Sequence, residues 1–214
     1  MIRGPQGTLA RLPGRWSPAL RGSYLATAGA DGIHVVRWLD DPTNDVRAVT
    51  GRVSLPALDW PWLAYRLVRA DGTKRVVLLN LRTGRRRRIG WAGSRSQVGR
   101  LTIYGGRVAW HVVRPHGSRI VLYTRWNGRT RSFAATHLWA LTNPAVTRWR
   151  LLWVETRSGV AYVRVHRFGG RTHTVATLWG RTYAYWTTGI WRGIAYVTRW
   201  SVASGAAGIV KIRL

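Results

Sequence analysis

Five stretches of the chain repeat one arrangement of apolar and polar positions: R-G-S-Y-L-A-T at 21–27, W-P-W-L-A-Y at 60–65, G-G-R-V-A-W at 105–110, W-R-L-L-W at 149–153 and R-G-I-A-Y at 192–196. Their central aliphatics are Leu25, Leu63, Val108, Leu151 and Ile194, at spacings of 38, 45, 43 and 43. One residue further stand Ala26, Ala64, Ala109, Leu152 and Ala195; two further stand Thr27, Tyr65, Trp110, Trp153 and Tyr196. In a β-strand adjacent residues point to opposite faces, so each segment presents a mostly small face and a mostly large one, as stacked sheets require.

Seven residues before the anchors lie Pro18, Pro56, Leu101, Pro144 and Thr187. Proline is tolerated at the first position of a strand, so this spacing predicts a strand entered at the proline. After each anchor come a loop and a β-rich run: I-H-V-V-R, R-V-V-L-L-N-L, R-I-V-L-Y, Y-V-R-V-H and G-I-V-K-I-R-L. Thr83-Gly84, Asn127-Gly128 and Gly169-Gly170 then read as two-residue hairpin turns into a fourth strand. Four antiparallel strands in roughly 40 residues is the length of a propeller blade.

The expected fold is therefore an all-β, five-bladed β-propeller filling 1–214 as a single domain, with blades near 17–50, 55–90, 99–134, 142–177 and 185–214. The fifth unit ends without a fourth strand, and T-L-A-R-L at 8–12 is expected to complete it and latch the ring. A latched ring leaves no unpaired inner edge and is expected to be a monomer.

Composition agrees with a folded domain of 214 residues: 46% is apolar and 14 residues are Trp. The absence of Cys excludes disulfides and thiolate chemistry. Apolar stretches are short and broken by Arg, so no transmembrane helix is expected, and the first residues show no signal peptide. The formal charge is +28, from 35 basic residues and seven acids, and only Lys74 and Lys211 are lysines. Such a charge attracts polyanions over about a Debye length, ~8 Å at physiological salt.

The pattern P-A-[LV] before an anchor, at Asn143-Pro144-Ala145-Val146, and Leu79-Asn80-Leu81-Arg82-Thr83-Gly84 after one, resemble the TolB-like β-propeller repeat, a relative of the WD-repeat group. The resemblance implies a propeller that binds other proteins, and an extracytoplasmic or cell-envelope location. This chain departs from it in showing no export signal, in having five blades, and in placing Asn80 where the repeat usually has Asp.

Catalytic chemistry finds little support. Asp31-Gly32 and Asp71-Gly72 are turn dipeptides, and Asp40-Asp41-Pro42 opens an irregular turn. Of the others, Asp45, Asp59 and Glu155, the carboxylates to weigh for a glycoside-hydrolase-type propeller are Asp59 and Glu155, but no set of acids recurs on innermost strands. His34, His111, His116, His137, His166 and His173 lack metal-ligand spacing, with His111 and His116 flanking one solvated loop. No nucleotide-binding or nucleophile-elbow motif occurs, so neither a catalytic residue nor a metal or other cofactor is expected.

The periodic charges are more informative. Six residues past the anchors lie Arg69, Arg114 and Arg157, with Asp31 and Trp200, beside Arg199, at the other two positions. These belong to loops between second and third strands. Trp91, Trp139 and Trp179 fall between blades, on the same mouth, where they either face a ligand or pack inward. Guanidiniums beside aromatics suit a phosphate-, sulfate- or carboxylate-rich partner. The expected function is a non-catalytic binding or scaffold module for a protein or other anionic macromolecule. Direct electrostatic binding of nucleic acid or anionic polysaccharide, without sequence readout, is the alternative. The run R-R-R-R at 85–88 reads as an outermost strand, where charge discourages edge-to-edge pairing.

Overall fold

The computed structural model describes residues 2–4, 7–10, 14, 16–38, 41–136, 141–142, 144–179 and 183–214; for 2–4, 7–10, 41–44, 134–136 and 187–188 only the backbone is described. Every regular element among them is a β-strand. They gather into two compact units, Met1–Trp91 and Ala92–Leu214.

In the first unit, β1 (Ile2–Gly4) and β2 (Gly7–Ala10) pair with each other. Sheet one follows as β3 (Trp16–Arg21), β4 (Tyr24–Gly29), β5 (Gly32–Arg37) and β6 (Asp41–Thr50). Sheet two is β7 (Val53–Asp59), β8 (Trp62–Val68), β9 (Lys74–Asn80) and β10 (Arg86–Ala92). In the second unit, sheet three is β11 (Gln97–Tyr104), β12 (Arg107–Arg114), β13 (Gly117–Thr124) and β14 (Arg129–Thr136). Sheet four is β15 (Ala145–Val146), β16 (Arg150–Arg157), β17 (Val160–Arg167) and β18 (Thr172–Trp179). Sheet five has three strands, β19 (Tyr183–Trp191), β20 (Ile194–Ser201) and β21 (Ala207–Arg213). All strands within a sheet pair in sequence order, so each hydrogen-bonded ladder is closed by a short turn.

The five anchors fall on the second strands, β4, β8, β12, β16 and β20. The residue after each anchor is wholly shielded: Ala26, Ala64, Ala109, Leu152 and Ala195 are all 0% exposed. Alternation then builds the core between sheets. Leu151 and Trp153 on one face of sheet four pack with Ala109, Ile120 and Leu122 of sheet three. Leu152 and Val154, on its other face, pack with Ala195, Val197 and Tyr185 of sheet five. In the first unit Ile33 and Val35 pack with Leu58, Leu63 and Tyr65 in the same way. Fully burying one such aliphatic contributes about 1.5–3 kcal/mol, so adjacent sheets are the source of each other's stability.

Three local features differ from the expectations above. Pro18 and Pro56 do not open their strands; they sit inside register shifts, between Trp16 and Ala19 in β3 and between Ser54 and Ala57 in β7. Equivalent shifts occur without proline between Val98 and Leu101 and between Thr187 and Gly189. A bulged residue sits outside the hydrogen-bond ladder, so a missing N–H is harmless there.

The third-to-fourth-strand turns are also longer than two residues. The Asn80 N–H donates to the Arg85 carbonyl (3.0 Å), leaving 81–84 as the loop, and Thr124 pairs with Arg129 around 125–128. Gly84 and Gly128 supply the positive φ, 72° and 64°, and Asn127 Oδ1 caps its turn by accepting from the Arg129 N–H (3.0 Å). A two-residue type I′ turn needs positive φ at both central residues, and Asn127 does not adopt it. In sheet four the left-handed residue is Gly169, at 82°, with Gly170 donating back to the Arg167 carbonyl (2.8 Å).

Finally, Gly7–Ala10 pairs with Ile2–Gly4, through Arg3↔Thr8 and Gly4↔Gly7, and sheet five is described with three strands. The pairing expected of residues 8–12 as a fourth strand is thus replaced by a local hairpin, which closes a far shorter loop. Residues 11–13 lie outside the described residues.

Candidate functional site

Second-to-third-strand turns and fourth-strand ends lie at the same end of each antiparallel sheet, and there the expected site residues are found. Arg114 is the last residue of β12 and pairs with Gly117 across its turn. Arg157 is the last residue of β16 and pairs with Val160, which in turn pairs with Trp179 at the end of β18. Arg157, Val160 and Trp179 therefore form one row across three adjacent strands. Arg114 and Arg157 are exposed, and Trp179 is 77% exposed. Trp179 is held by its backbone: its carbonyl accepts the Tyr185 hydroxyl (3.0 Å).

The other positions are less uniform. Arg199 lies within β20 rather than in the loop after it, its guanidinium 4.8 Å from the centre of the Tyr183 ring. In the first unit, Arg69 follows β8 and closes a tight turn, donating its N–H to Thr73 (2.9 Å). Trp91 is the penultimate residue of β10, not a loop residue, and is 64% exposed. Neither Trp91 nor Trp179 packs inward: both side chains stand out at strand ends. Trp139 lies outside the described residues, as do Asn143, Asp40 and His137.

The carboxylates whose side chains are described have structural partners. Asp59 pairs with Arg21 (3.0 Å) and Glu155 with Arg164 (3.2 Å). Asp71 accepts the Thr73 N–H (2.9 Å) and hydroxyl (2.6 Å), and these bonds hold its carboxyl below the usual range. His34 sits between two acids, Nε2 2.9 Å from Asp31 Oδ2 and Nδ1 against Asp45 Oδ2, which ties the β4–β5 turn to β6. His111 is a β12 residue rather than part of a solvated loop: its ring fills the space above Gly99. Among the described residues no cluster of three His, Asp or Glu side chains could hold a metal ion.

The opposite ends of the sheets carry a feature that the anchor alignment contains but charge counting passes over. Trp126, Trp149 and Trp191, each more than half exposed, are each covered by a guanidinium: Arg107 (4.2 Å), Arg148 (4.7 Å) and Arg192 (4.5 Å). Arg148-Trp149 and Trp191-Arg192 occupy the same two places before their anchors, and Trp60-Pro61 occupies them in sheet two. There Trp60 stacks on Tyr24, centroids 3.7 Å apart. Tyr24 and Arg107 are themselves repeat-equivalent, so in sheet three a guanidinium stands where sheet one has an aromatic ring.

Repeated antiparallel sheets, packed through their faces within each unit, are the blade arrangement of a β-propeller. No protein-family model and no curated protein sequence matches the chain. Among solved structures it is similar to one assigned as TolB from Agrobacterium tumefaciens, with 12% identity and TM-score 0.62, over 96% of this chain and 85% of that one. It is similar to a chain of a nidogen–laminin complex, with 12% identity and TM-score 0.57, over 90% of this chain and 76% of that one. It is also similar to oligogalacturonate lyase in complex with manganese, with 12% identity and TM-score 0.59, over 94% and 66%. At such identities the likeness is one of fold: this chain has a β-propeller fold, its five sheets the blades. That fold serves binding proteins and enzymes alike.

Proposed function

We propose that the chain is a non-catalytic binding module that engages an acidic macromolecular partner through the sheet ends carrying Arg69, Arg114, Arg157, Arg199, Trp91 and Trp179. The observation that supports this most is the row Arg157–Val160–Trp179, exposed at both its ends, with Arg114 at the equivalent turn of the preceding sheet. An exposed indole and an exposed guanidinium in one row, two strands apart, offer both a stacking surface and a forked oxyanion donor. The best-placed carboxylates, Asp59 and Glu155, are held by arginines, which favours binding over acid–base catalysis.

The test is capture by the immobilised protein, with a variant reversing Arg69, Arg114 and Arg157 to Glu. Capture should be lost in that variant and kept in R85E/R86E/R88E, which changes the net charge equally. Equal capture by both variants removes the assignment to these sheet ends.

The charge of +28 favours a second reading, direct binding of nucleic acid or an acidic polysaccharide. Counterion release then makes affinity fall steeply as salt rises. Absence of retention on either polymer, even at low salt, eliminates it.

A further inference from the structure

Between sheets three and four, at the end opposite the proposed partner surface, lies a cavity of about 210 Å³. One wall is a single face of sheet three. Arg107 pairs with Thr124, and Thr124 with Arg129, so the two arginines lie two strands apart in one row, ~10 Å between backbones. Arg131, two residues along β14, shares the face and pairs with Leu122. The facing wall comes from sheet four, with His166 of β17 and Phe168 of the turn after it. Trp126 closes one side. Among the described residues no carboxylate lines the cavity.

Arg107 is fixed before any ligand arrives. Trp126 and Phe168 lie against its guanidinium, each 4.2 Å from ring centre to Cζ, and Nη1 donates to the Arg148 carbonyl (2.9 Å). His166 is fixed as well, Nδ1 3.1 Å from Thr172 Oγ1 and its ring against Phe133. Three arginines line one small space, and among the described residues no negative charge does. Their mutual repulsion is relieved by an anion, and guanidinium geometry matches a tetrahedral oxyanion. At ~30 Å³ per water the cavity corresponds to roughly seven waters, enough for a hydrated oxyanion.

We propose that this cavity binds a compact tetrahedral oxyanion, a phosphate or sulfate group, on Arg107, Arg129 and Arg131. The site is separate from the partner surface: it uses the other end of the sheets and different arginines. Arg129 and Arg131 belong to an outermost strand, but their face of the strand is turned towards sheet four and not only to solvent. Burial lowers the pKa of the Arg107 guanidinium, and an anion beside it offsets that desolvation.

The test is calorimetric titration of the whole chain with sodium phosphate and with sodium sulfate, at ionic strength held constant by chloride. R129Q/R131Q removes two charges from the cavity, and R114Q/R157Q removes two from the other end. Single-site saturation in the wild type and in R114Q/R157Q, weakened at least tenfold in R129Q/R131Q, is expected. Phenyl phosphate binding as well as phosphate identifies the source as a monoester terminus; phosphate binding alone identifies the free ion. If the double variant fails to fold, the exposed single changes R129Q and R131Q should each weaken binding several-fold. Lack of saturation by either anion in the wild type, or equal weakening by both double variants, overturns the site.

Discussion

The His111 ring occupies the volume that a side chain at Gly99 would need: a Cβ on Gly99 would stand 1.8 Å from His111 Cε1. Gly99 falls in the register shift of β11, so the bulge and the histidine on the neighbouring strand form one fitted pair. Gly99→Ala should destabilise by roughly 1–3 kcal/mol, the usual cost of overpacking. The double variant G99A/H111A should recover part of that loss, giving a coupling of at least about 0.5 kcal/mol in denaturant unfolding. Additive effects of the two changes would show that the ring yields without strain.

The fully shielded small residues make a second prediction. Ala109 faces sheet four and Ala195 packs in the cluster between sheets four and five, both at 0% exposure. Replacing either with Leu inserts a branched side chain where a neighbouring sheet already packs, and should cost about 1–3 kcal/mol, read as a lower unfolding midpoint. Leu152 occupies the same repeat position, and Leu152→Ala should cost about 2–5 kcal/mol through the cavity it opens.

A third concerns pH. Burial holds the His166 imidazole below its ordinary value, so the folded state resists protonating it. Above about pH 6.5 the ring is neutral in folded and unfolded chains alike, and its contribution is fully present. As pH falls below that point the unfolded chain takes up the proton first, and stability drops until the folded-state pKa is passed. Thermal unfolding should therefore show a smaller loss between about pH 7 and pH 5 in His166→Gln than in the wild type. Identical losses would place the acid sensitivity elsewhere.

The fourth returns to the arginine run. Arg86, Arg87 and Arg88 are all exposed, on β10, the outermost strand of sheet two in the order β10–β9–β8–β7. Positive charge on an edge discourages pairing with another copy. Changing Arg86 and Arg88 to Val should produce concentration-dependent association in light scattering, with little change in unfolding midpoint. A variant that stays monodisperse would assign another role to these side chains.

Much of the fold was legible because burial in a sheet alternates residue by residue. The anchors Leu25, Leu63, Val108, Leu151 and Ile194, and the small residues after them, follow from that local period, and all fall on second strands. The same alignment placed Arg114 and Arg157 at equivalent turns. It misjudged Pro18 and Pro56, since a bulge and a strand start tolerate proline for the same reason, the unneeded N–H. It also expected the strand near residue 8 to seek sheet five, where Gly7–Ala10 instead takes the nearest partner in sequence.

The amino-acid sequence by itself determined an all-β chain of five repeated units, because side-chain alternation and turn glycines act over a few residues. It also determined the large positive charge, which is a matter of counting. Only the tertiary structure decided which charges meet. Arg107 comes to lie between Trp126 and Phe168, 61 positions after Arg107 in the chain, because two sheets pack face to face and bring their turns together. Interactions of that kind depend on the packing distance and rotation of whole sheets, which no local pattern of residues encodes.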